Sequence, residues 1–192
     1  APPGGEPADR DAGGTVMEKL RLGTCWLDGC SGCHMSLLDV DEGLVAVLKK
    51  ADIVFGPLVD APEWPEGVDV ALVEGAVSSQ DDLKLAQTIR QRSKVVVALG
   101  DCAVTSNVPS MRNGIPTRKL LERVYVEGAT ETPGVPTDGV PALLKHAVPL
   151  HEVVKVDVHV PGCPPKPNAI LFALSELLEG RKPDLGSKLR FG

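Results

Sequence analysis

A short segment near the start of this chain, CWLDGCSGCHMS, concentrates side chains that bind metals or exchange electrons. It carries Cys25, Cys30, Cys33 and His34 within ten residues. Thiolates and imidazoles are metal ligands, and a Cys-x-x-Cys pair can also exchange disulfides. A structural role, redox exchange and metal binding are therefore all open for these residues, and the remaining cysteines must discriminate between them.

Cysteines recur directly after predicted strands. Cys102 follows VVVALGD, Cys163 follows VDVHVPG, and the pair Cys30 and Cys33 follows the strand LRLGTCW. In an open parallel sheet the carboxyl ends of the strands share one edge, and ligands bind in the crevice at that edge. Three separate pieces of sequence therefore bring four cysteines to one place.

Four thiols at one site suit either a tetrahedral zinc ion or an iron-sulfur cluster. A structural four-cysteine zinc site usually has two Cys-x-x-Cys pairs in a small domain that needs the metal to fold. This chain has one such pair and enough residues for a core, so zinc is the weaker alternative. Pro164 directly after Cys163 also matches the Cys-Pro ending of ferredoxin motifs. A thioredoxin-type redox pair at Cys30 and Cys33 is the other alternative.

Several neighbouring side chains have more than one possible role. Cys25 lies within or at the end of the first strand, and we expect a core thiol. His34 could hydrogen-bond a cluster sulfur or a partner, or simply begin a helix. Glu74, at the end of VALVE, could relay protons or cap the next helix. Three further histidines show no metal-ligand spacing and are expected to be structural: His146, His151 and His159.

The elements that must position these residues alternate between strand and helix. Predicted strands cover residues 20–26, 52–55, 68–75, 94–101 and 153–162. One predicted helix carries Leu37, Leu38, Leu44, Val45 and Leu48; another begins at Ser79, whose spacing to Asp82 resembles a capping box; a third runs from about Asn168 to Gly180. This alternation predicts an α/β fold with a doubly wound, mostly parallel sheet.

The composition divides the chain into three parts. Residues 1–17 combine Pro, Gly and charge without an apolar period and predict a disordered or partner-ordered tail, in which Met17 could be the original start. Residues 18–180 form the predicted cluster-binding domain, and residues 181–192 a C-terminal tail. Within the domain, residues 103–152 carry repeated Pro and Gly around short helical stretches, and we expect this region to pack on a partner.

The overall composition argues against two classes of partner. The chain has 20 Lys and Arg residues against 26 Asp and Glu residues, and only 3% aromatic residues, which argues against nucleic-acid binding. Its apolar runs are too short to cross a membrane. The count of five cysteines is odd and no signal sequence is recognised, so we expect a soluble, cytoplasmic protein with reduced thiols.

Four ordered motifs resemble those of the small subunit of [NiFe] hydrogenases. They are GCSGCHMSLLD, VEGAV, LGDCA and VPGCPPKPNAI, and with their flanking elements they span residues 20–179. The resemblance implies a flavodoxin-like fold with a proximal [4Fe-4S] cluster at the carboxyl edge of the sheet. The implied cofactor-binding and metal ligands are Cys30, Cys33, Cys102 and Cys163. The related cluster subunit of respiratory complex I has two adjacent cysteines instead of the Cys-x-x-Cys pair.

The segment WLDGCSGCHMSLLDVDE looks most like the small subunit of the soluble, bidirectional NAD-reducing hydrogenase. No cysteine follows Cys163, so we expect no domain with further clusters. In that family a large subunit holds the nickel-iron active site, and a flavin- and cluster-bearing diaphorase exchanges electrons with NAD. The resemblance implies an electron-transfer subunit without catalytic residues of its own. The alternatives are a membrane-bound or deazaflavin-linked [NiFe] hydrogenase, or a four-cysteine zinc interaction module.

Overall fold

The computed structural model describes residues 19–186 and shows a five-stranded parallel sheet covered by helices. The strands are β1 (Leu20–Trp26), β2 (Ala51–Phe55), β3 (Val68–Glu74), β4 (Val77–Ser79), β5 (Ser93–Leu99), β6 (Leu143–Val148) and β7 (Val158–Val160). The helices are α1 (Gly32–Leu38), α2 (Glu42–Lys50), α3 (Gln80–Arg92), α4 (Asp101–Thr105), α5 (Thr117–Glu122) and α6 (Pro167–Leu178). Shorter helical turns cover Val108–Gly114, Arg123–Glu127 and Leu150–Glu152.

The strand order is that of a flavodoxin-like sheet. The sheet runs β2-β1-β3-β5-β7 with every pair parallel, which is the order 2-1-3-4-5 when these five strands are counted along the chain. The central strand β3 is almost wholly apolar because helices cover both faces of the sheet. One core contains residues of α1, α2 and α6, and the other contains residues of α3 and α4. The predicted α/β, doubly wound fold is confirmed.

The predicted helix over Leu37 to Leu48 is two helices. α1 ends at Leu38 and α2 begins at Glu42, and between them Asp41 has a φ of 52° that a continuous helix does not allow. Apolar spacing alone did not reveal this break. Residues on both sides of it, Leu37 and Val47, still reach the same core.

The last predicted strand is shorter than expected. Residues 153–162 were predicted as one strand, but only Val158–Val160 pairs with β5. The Asp157 carboxylate accepts a hydrogen bond from the Val96 backbone N–H at 2.9 Å. The Asp157 backbone N–H also donates to the Val96 carbonyl at 2.9 Å, so the side chain supplies only one of the two bonds at this point. Upstream, the N–H groups of Val153 and Val154 donate to the Leu150 carbonyl and close a helical turn.

The region predicted to be irregular, residues 103–152, contains an unpredicted strand. β6 pairs antiparallel with β4, with Val77 opposite Val148. The Asn113 side chain holds β6 through two hydrogen bonds of 2.8 Å with the backbone of Ala147. The rest of the region forms short helices and turns.

The ends of the domain remain predictions. The predicted tail 1–17 and residues 187–192 of the predicted C-terminal tail lie outside the described residues. Just before that limit, Leu185 is buried in the core with α6. Among residues 19–186, none of the helices has the length and apolar character needed to cross a bilayer.

Candidate metal centre

Three loops at the carboxyl edge of the sheet bring the four predicted ligands together. Cys30 and Cys33 follow β1, Cys102 lies in α4 directly after β5, and Cys163 follows β7. The Cys33 thiol is buried, and its pKa is raised first by burial and then by Glu74 and the other three thiols. Four cysteines from distant parts of the chain thus interact at one site.

A glycine leaves the space that the Cys33 sulfur occupies. Gly100 lies directly after β5 and has a φ of +81°, a conformation that disfavours any residue with a Cβ. A Cβ added there would lie 2.1 Å from Cys33 Sγ, which is far inside van der Waals contact. Gly100 is therefore required for two reasons: it adopts the positive φ of the turn, and it leaves room for the Cys33 sulfur.

Three hydrogen bonds donated by backbone N–H groups join the Cys102 loop to the Cys163 loop. The Asp101 N–H donates to the Gly162 carbonyl at 2.9 Å, and the Gly162 N–H donates to Asp101 Oδ1 at 2.7 Å. One step earlier, the Gly100 N–H donates to the Val160 carbonyl at 2.8 Å. These reciprocal bonds hold the two ligand loops in register beyond the end of the strands.

The Cys33 helix is tied to the Cys163 loop by a serine. The Ser36 hydroxyl, buried on α1, donates to the Pro165 carbonyl at 2.5 Å. Since Cys33 lies one turn before Ser36 on the same helix, this bond fixes α1 against the loop that carries Cys163. The Cys163 loop is therefore bonded both to the loop of Cys102 and to the helix of Cys33.

Glu74 holds the beginning of α1. Its carboxylate is 1% exposed and accepts the backbone N–H groups of Cys33 at 3.4 Å and His34 at 3.0 Å. His34 Nδ1 also contacts Glu74 Oε2. Of the two roles considered for Glu74, capping of the next helix is wrong, because Ser79 and Asp82 form the predicted capping box of α3. His34 is the third residue of α1, at the start of a helix, and its Nε2 is buried without a hydrogen-bond partner among the described residues.

Cys25 is separate from the four-cysteine site. It is 2% exposed and packs within the core between β3 and α3. Burial is the main reason that its pKa rises to about 12, and Asp82 adds to the effect. This placement is that of a core thiol, as expected from the sequence. All five cysteines are free thiols.

Two residues that the sequence motifs did not indicate donate to sulfurs of the predicted ligands. Asn107 Nδ2 donates to Cys163 Sγ at 3.4 Å. The Val108 N–H donates to the Cys102 thiol and opposes the rise in pKa that burial causes. Asn107 precedes a short helical turn that Val108 begins, so the one available signal was the position of both a few residues after Cys102.

The donor set fits an iron-sulfur cluster. It consists of four thiols at the edge of a parallel sheet, a glycine that leaves room for one sulfur, and N–H donors directed at two others. Across residues 19–186, three or more His, Cys, Asp or Glu side chains are nowhere grouped closely enough to hold a single metal ion.

Comparisons with known proteins give the family. The sequence matches the family described as "NADH ubiquinone oxidoreductase, 20 Kd subunit" over residues 30–177. One subunit of the F420-non-reducing hydrogenase vhu of Methanocaldococcus jannaschii is 41% identical over 172 residues, which cover 88% of this chain and 60% of that protein. The NAD-reducing hydrogenase HoxS subunit delta of Cupriavidus necator is 36% identical over 176 residues, which cover 89% and 84% respectively.

A solved structure agrees with these sequence matches. The crystal structure of an NAD+-reducing [NiFe]-hydrogenase in the H2-reduced state has a chain that matches with a TM-score of 0.86 and 37% identity. The match covers 91% of this chain and 100% of that chain. This chain spans about 60% of the length of the F420-non-reducing relatives. The chain therefore belongs to the NADH ubiquinone oxidoreductase 20 kDa subunit family, as a small subunit of the hydrogenase type.

Proposed function

We propose that this chain relays electrons in a cytoplasmic [NiFe] hydrogenase through a proximal [4Fe-4S] cluster. Cys30, Cys33, Cys102 and Cys163 would hold the cluster. Electrons would pass between the nickel-iron site of a large subunit and a flavin- and cluster-bearing diaphorase linked to NAD. The carrying observation is the convergence of four cysteines from three strand ends on one sheet edge. When bound, the cluster would accept and release one electron at a time.

The chain contributes the environment of the site. Burial raises the pKa of Cys33 and Cys102, so both hold their protons at neutral pH and release them when iron binds. The hydrogen bonds between the loops hold the sulfurs near one another, and the buried position of Cys33 excludes water from one side. Such burial, together with hydrogen bonds to sulfur, tunes the potential of a cluster.

An apolar surface beside the site supports docking of the large subunit. We call the exposed side chains of Trp26, Met35, Leu38 and Leu58 the α1 surface; they border a cavity of about 210 Å³. Leu58 is 88% exposed and Met35 57% exposed. Apolar patches of this kind mark interaction sites. A partner seated there would lie next to Cys30 and Cys33, which suits electron transfer to the cluster.

A second hydrogenase class is supported by the relatives themselves. The 41% identical relative is named an F420-non-reducing hydrogenase subunit, whereas the matching crystal structure is an NAD+-reducing enzyme. The chain would carry the same cluster in either class. Purifying the chain with its native partners and assaying H2-dependent reduction of NAD distinguishes the two classes. Activity with NAD and a flavin-bearing partner is expected only for the NAD-reducing class.

The experiment that tests the cluster compares two cysteine variants in the intact complex. Cys102→Ala should abolish the cluster EPR signal and uncouple H2 oxidation from NAD reduction. Cys25→Ala removes a thiol of the same chain that lies in the core, and it should retain four irons and four acid-labile sulfides. Zinc in place of iron in the unmodified protein would support the interaction module, and normal activity in Cys102→Ala would refute the ligand assignment.

A further inference from the structure

The turn that follows α4 has an unusual backbone. Ser106 and Asn107 are consecutive non-glycine residues with positive φ, at 63° and 24°. Such conformations cost energy for residues with a side chain, although asparagine tolerates them better than most. They persist where the surroundings enforce them, and they concentrate at functional sites. This turn begins four residues after the proposed ligand Cys102.

Hydrogen bonds fix the backbone of this turn on both sides. The Ser106 N–H donates to the Cys102 carbonyl at 3.1 Å. The Asn107 carbonyl accepts the Ser110 N–H at 3.2 Å and the Ser110 hydroxyl at 2.7 Å. The main chain around Asn107 is therefore held on both sides, and none of these bonds uses the side-chain carboxamide of Asn107.

Two other donors of the turn are directed at sulfur. Asn107 Nδ2 lies 3.4 Å from Cys163 Sγ. The next backbone N–H, that of Val108, donates to the thiol of Cys102. One strained turn thus supplies hydrogen bonds to two of the four thiols, and those two thiols come from different loops.

We propose that the turn over residues 106–108 raises the reduction potential of the cluster, with the Asn107 side chain as its adjustable donor. The inference rests on the proposed function, because it requires a cluster on Cys102 and Cys163. Reduction adds negative charge to the cluster and its sulfurs. N–H donors stabilise that charge, so they favour the reduced state. Asn107 acts through the Cys163 sulfur and is a positioning residue.

The test is a redox titration of the cluster, followed by EPR, in the purified hydrogenase complex. Asn107→Gly tolerates the positive φ and removes the donor. It should retain the cluster and lower its reduction equilibrium constant about tenfold, which is about 59 mV for one electron. Asn107→Asp keeps the shape of the side chain but places an acceptor at the sulfur. Its potential should fall further than that of Asn107→Gly.

Asn113→Gly is the matched control. Asn113 lies on the helical turn that follows Asn107, but its side chain bonds the backbone of Ala147. Its loss should lower the stability of the protein and leave the cluster potential unchanged.

Three results would overturn the inference. The first is an unchanged potential in both Asn107 variants, and the second is an equal shift in Asn113→Gly. The third is loss of iron from both Asn107 variants but not from Asn113→Gly, which would make Asn107 a residue that only holds the site together. Absence of iron from the unmodified complex would instead refute the proposed function.

Discussion

At the scale of single residues, surroundings separate thiols that look alike in the sequence. Cys25 and Cys33 are both buried. Cys33 lies among three other thiols and a carboxylate, whereas Cys25 lies among apolar side chains of the core. A buried thiol with no positive partner stays protonated and unreactive, while one among other thiols can share a metal centre. The two cysteines should therefore differ in how pH affects them in the loaded protein.

Cys25 predicts a loss of stability at alkaline pH. Its pKa rises from the ordinary value of 9.0 to about 12 on folding, mainly through burial. Below pH 9 both the folded and the unfolded chain keep the proton, so the contribution to stability is complete. As the pH rises from about 9 to about 12, the unfolded chain loses its Cys25 proton before the folded chain does, so the free energy of unfolding falls.

Denaturant unfolding of the cluster-loaded protein at about pH 8 and about pH 10 measures this fall. Cys25→Ala should be about 1 kcal/mol less stable at the lower pH, because it leaves a small cavity. It should also lose less stability between the two pH values than the unmodified protein. An equal loss in both proteins would show that Cys25 does not titrate as its burial requires.

The residues of the site were predictable from sequence to different degrees. The four cysteines could be assigned to the carboxyl edge of the sheet because each follows an apolar strand, and apolar strands can be recognised in the amino-acid sequence. The contact between His34 and Glu74 could not, since it joins residues forty positions apart whose types suit several roles. Asn107 was missed because a loop asparagine has no period, and its direction depends on a backbone bend that only the fold imposes.

At the scale of elements, strong burial made strands predictable and weak burial hid them. β3 and β5 are apolar runs covered on both faces, so their sequences identify them. β6 exposes half of its residues and relies on Asn113 and β4 for its pairing. The last strand was overestimated because alternating residues continue before it, where the chain in fact turns and Asp157 bonds the neighbouring strand.

Gly100 connects β5 to α4, and we predict that it cannot be replaced by a residue with a side chain. In Gly100→Ala the new Cβ would meet Cys33 Sγ, and the φ of +81° would be strained. We expect a cost of about 1 to 3 kcal/mol and severe loss of the cluster, since the thiol must move away from its position. Iron content per chain and thermal unfolding measure the two effects.

Gly114→Ala is the control for this change. Nothing lies within 4 Å of the position that its Cβ would take. The alanine should be neutral for stability, or slightly stabilising, and should keep the iron. Full iron content in Gly100→Ala would show that the close approach to Cys33 is not needed to hold the cluster.

At the scale of the whole molecule, much apolar surface is uncovered. Besides the α1 surface, the region between β5 and β6 exposes a second set of large apolar side chains: Val108, Met111, Ile115, Val124, Tyr125, Val126 and Val140. Some exposed apolar area is normal for any protein, but groups of large side chains mark interaction sites. The Pro and Gly content of this second region predicts that it packs on a partner, and that remains a prediction.

The α1 surface predicts how a single charge would affect assembly. Met35 is 57% exposed, so Met35→Glu should change the stability of the chain by no more than about 0.5 kcal/mol. If the large subunit covers Met35, the buried carboxylate would lack a partner, and association should weaken at least about tenfold, or about 1.4 kcal/mol.

Gln87→Glu adds the same charge on the exposed side of α3, across the sheet, and should assemble normally. The measurement is nickel per chain after affinity purification, because nickel would belong to the partner. Equal nickel in both variants would place the large subunit on another face of this chain, even though the cluster assignment could stand.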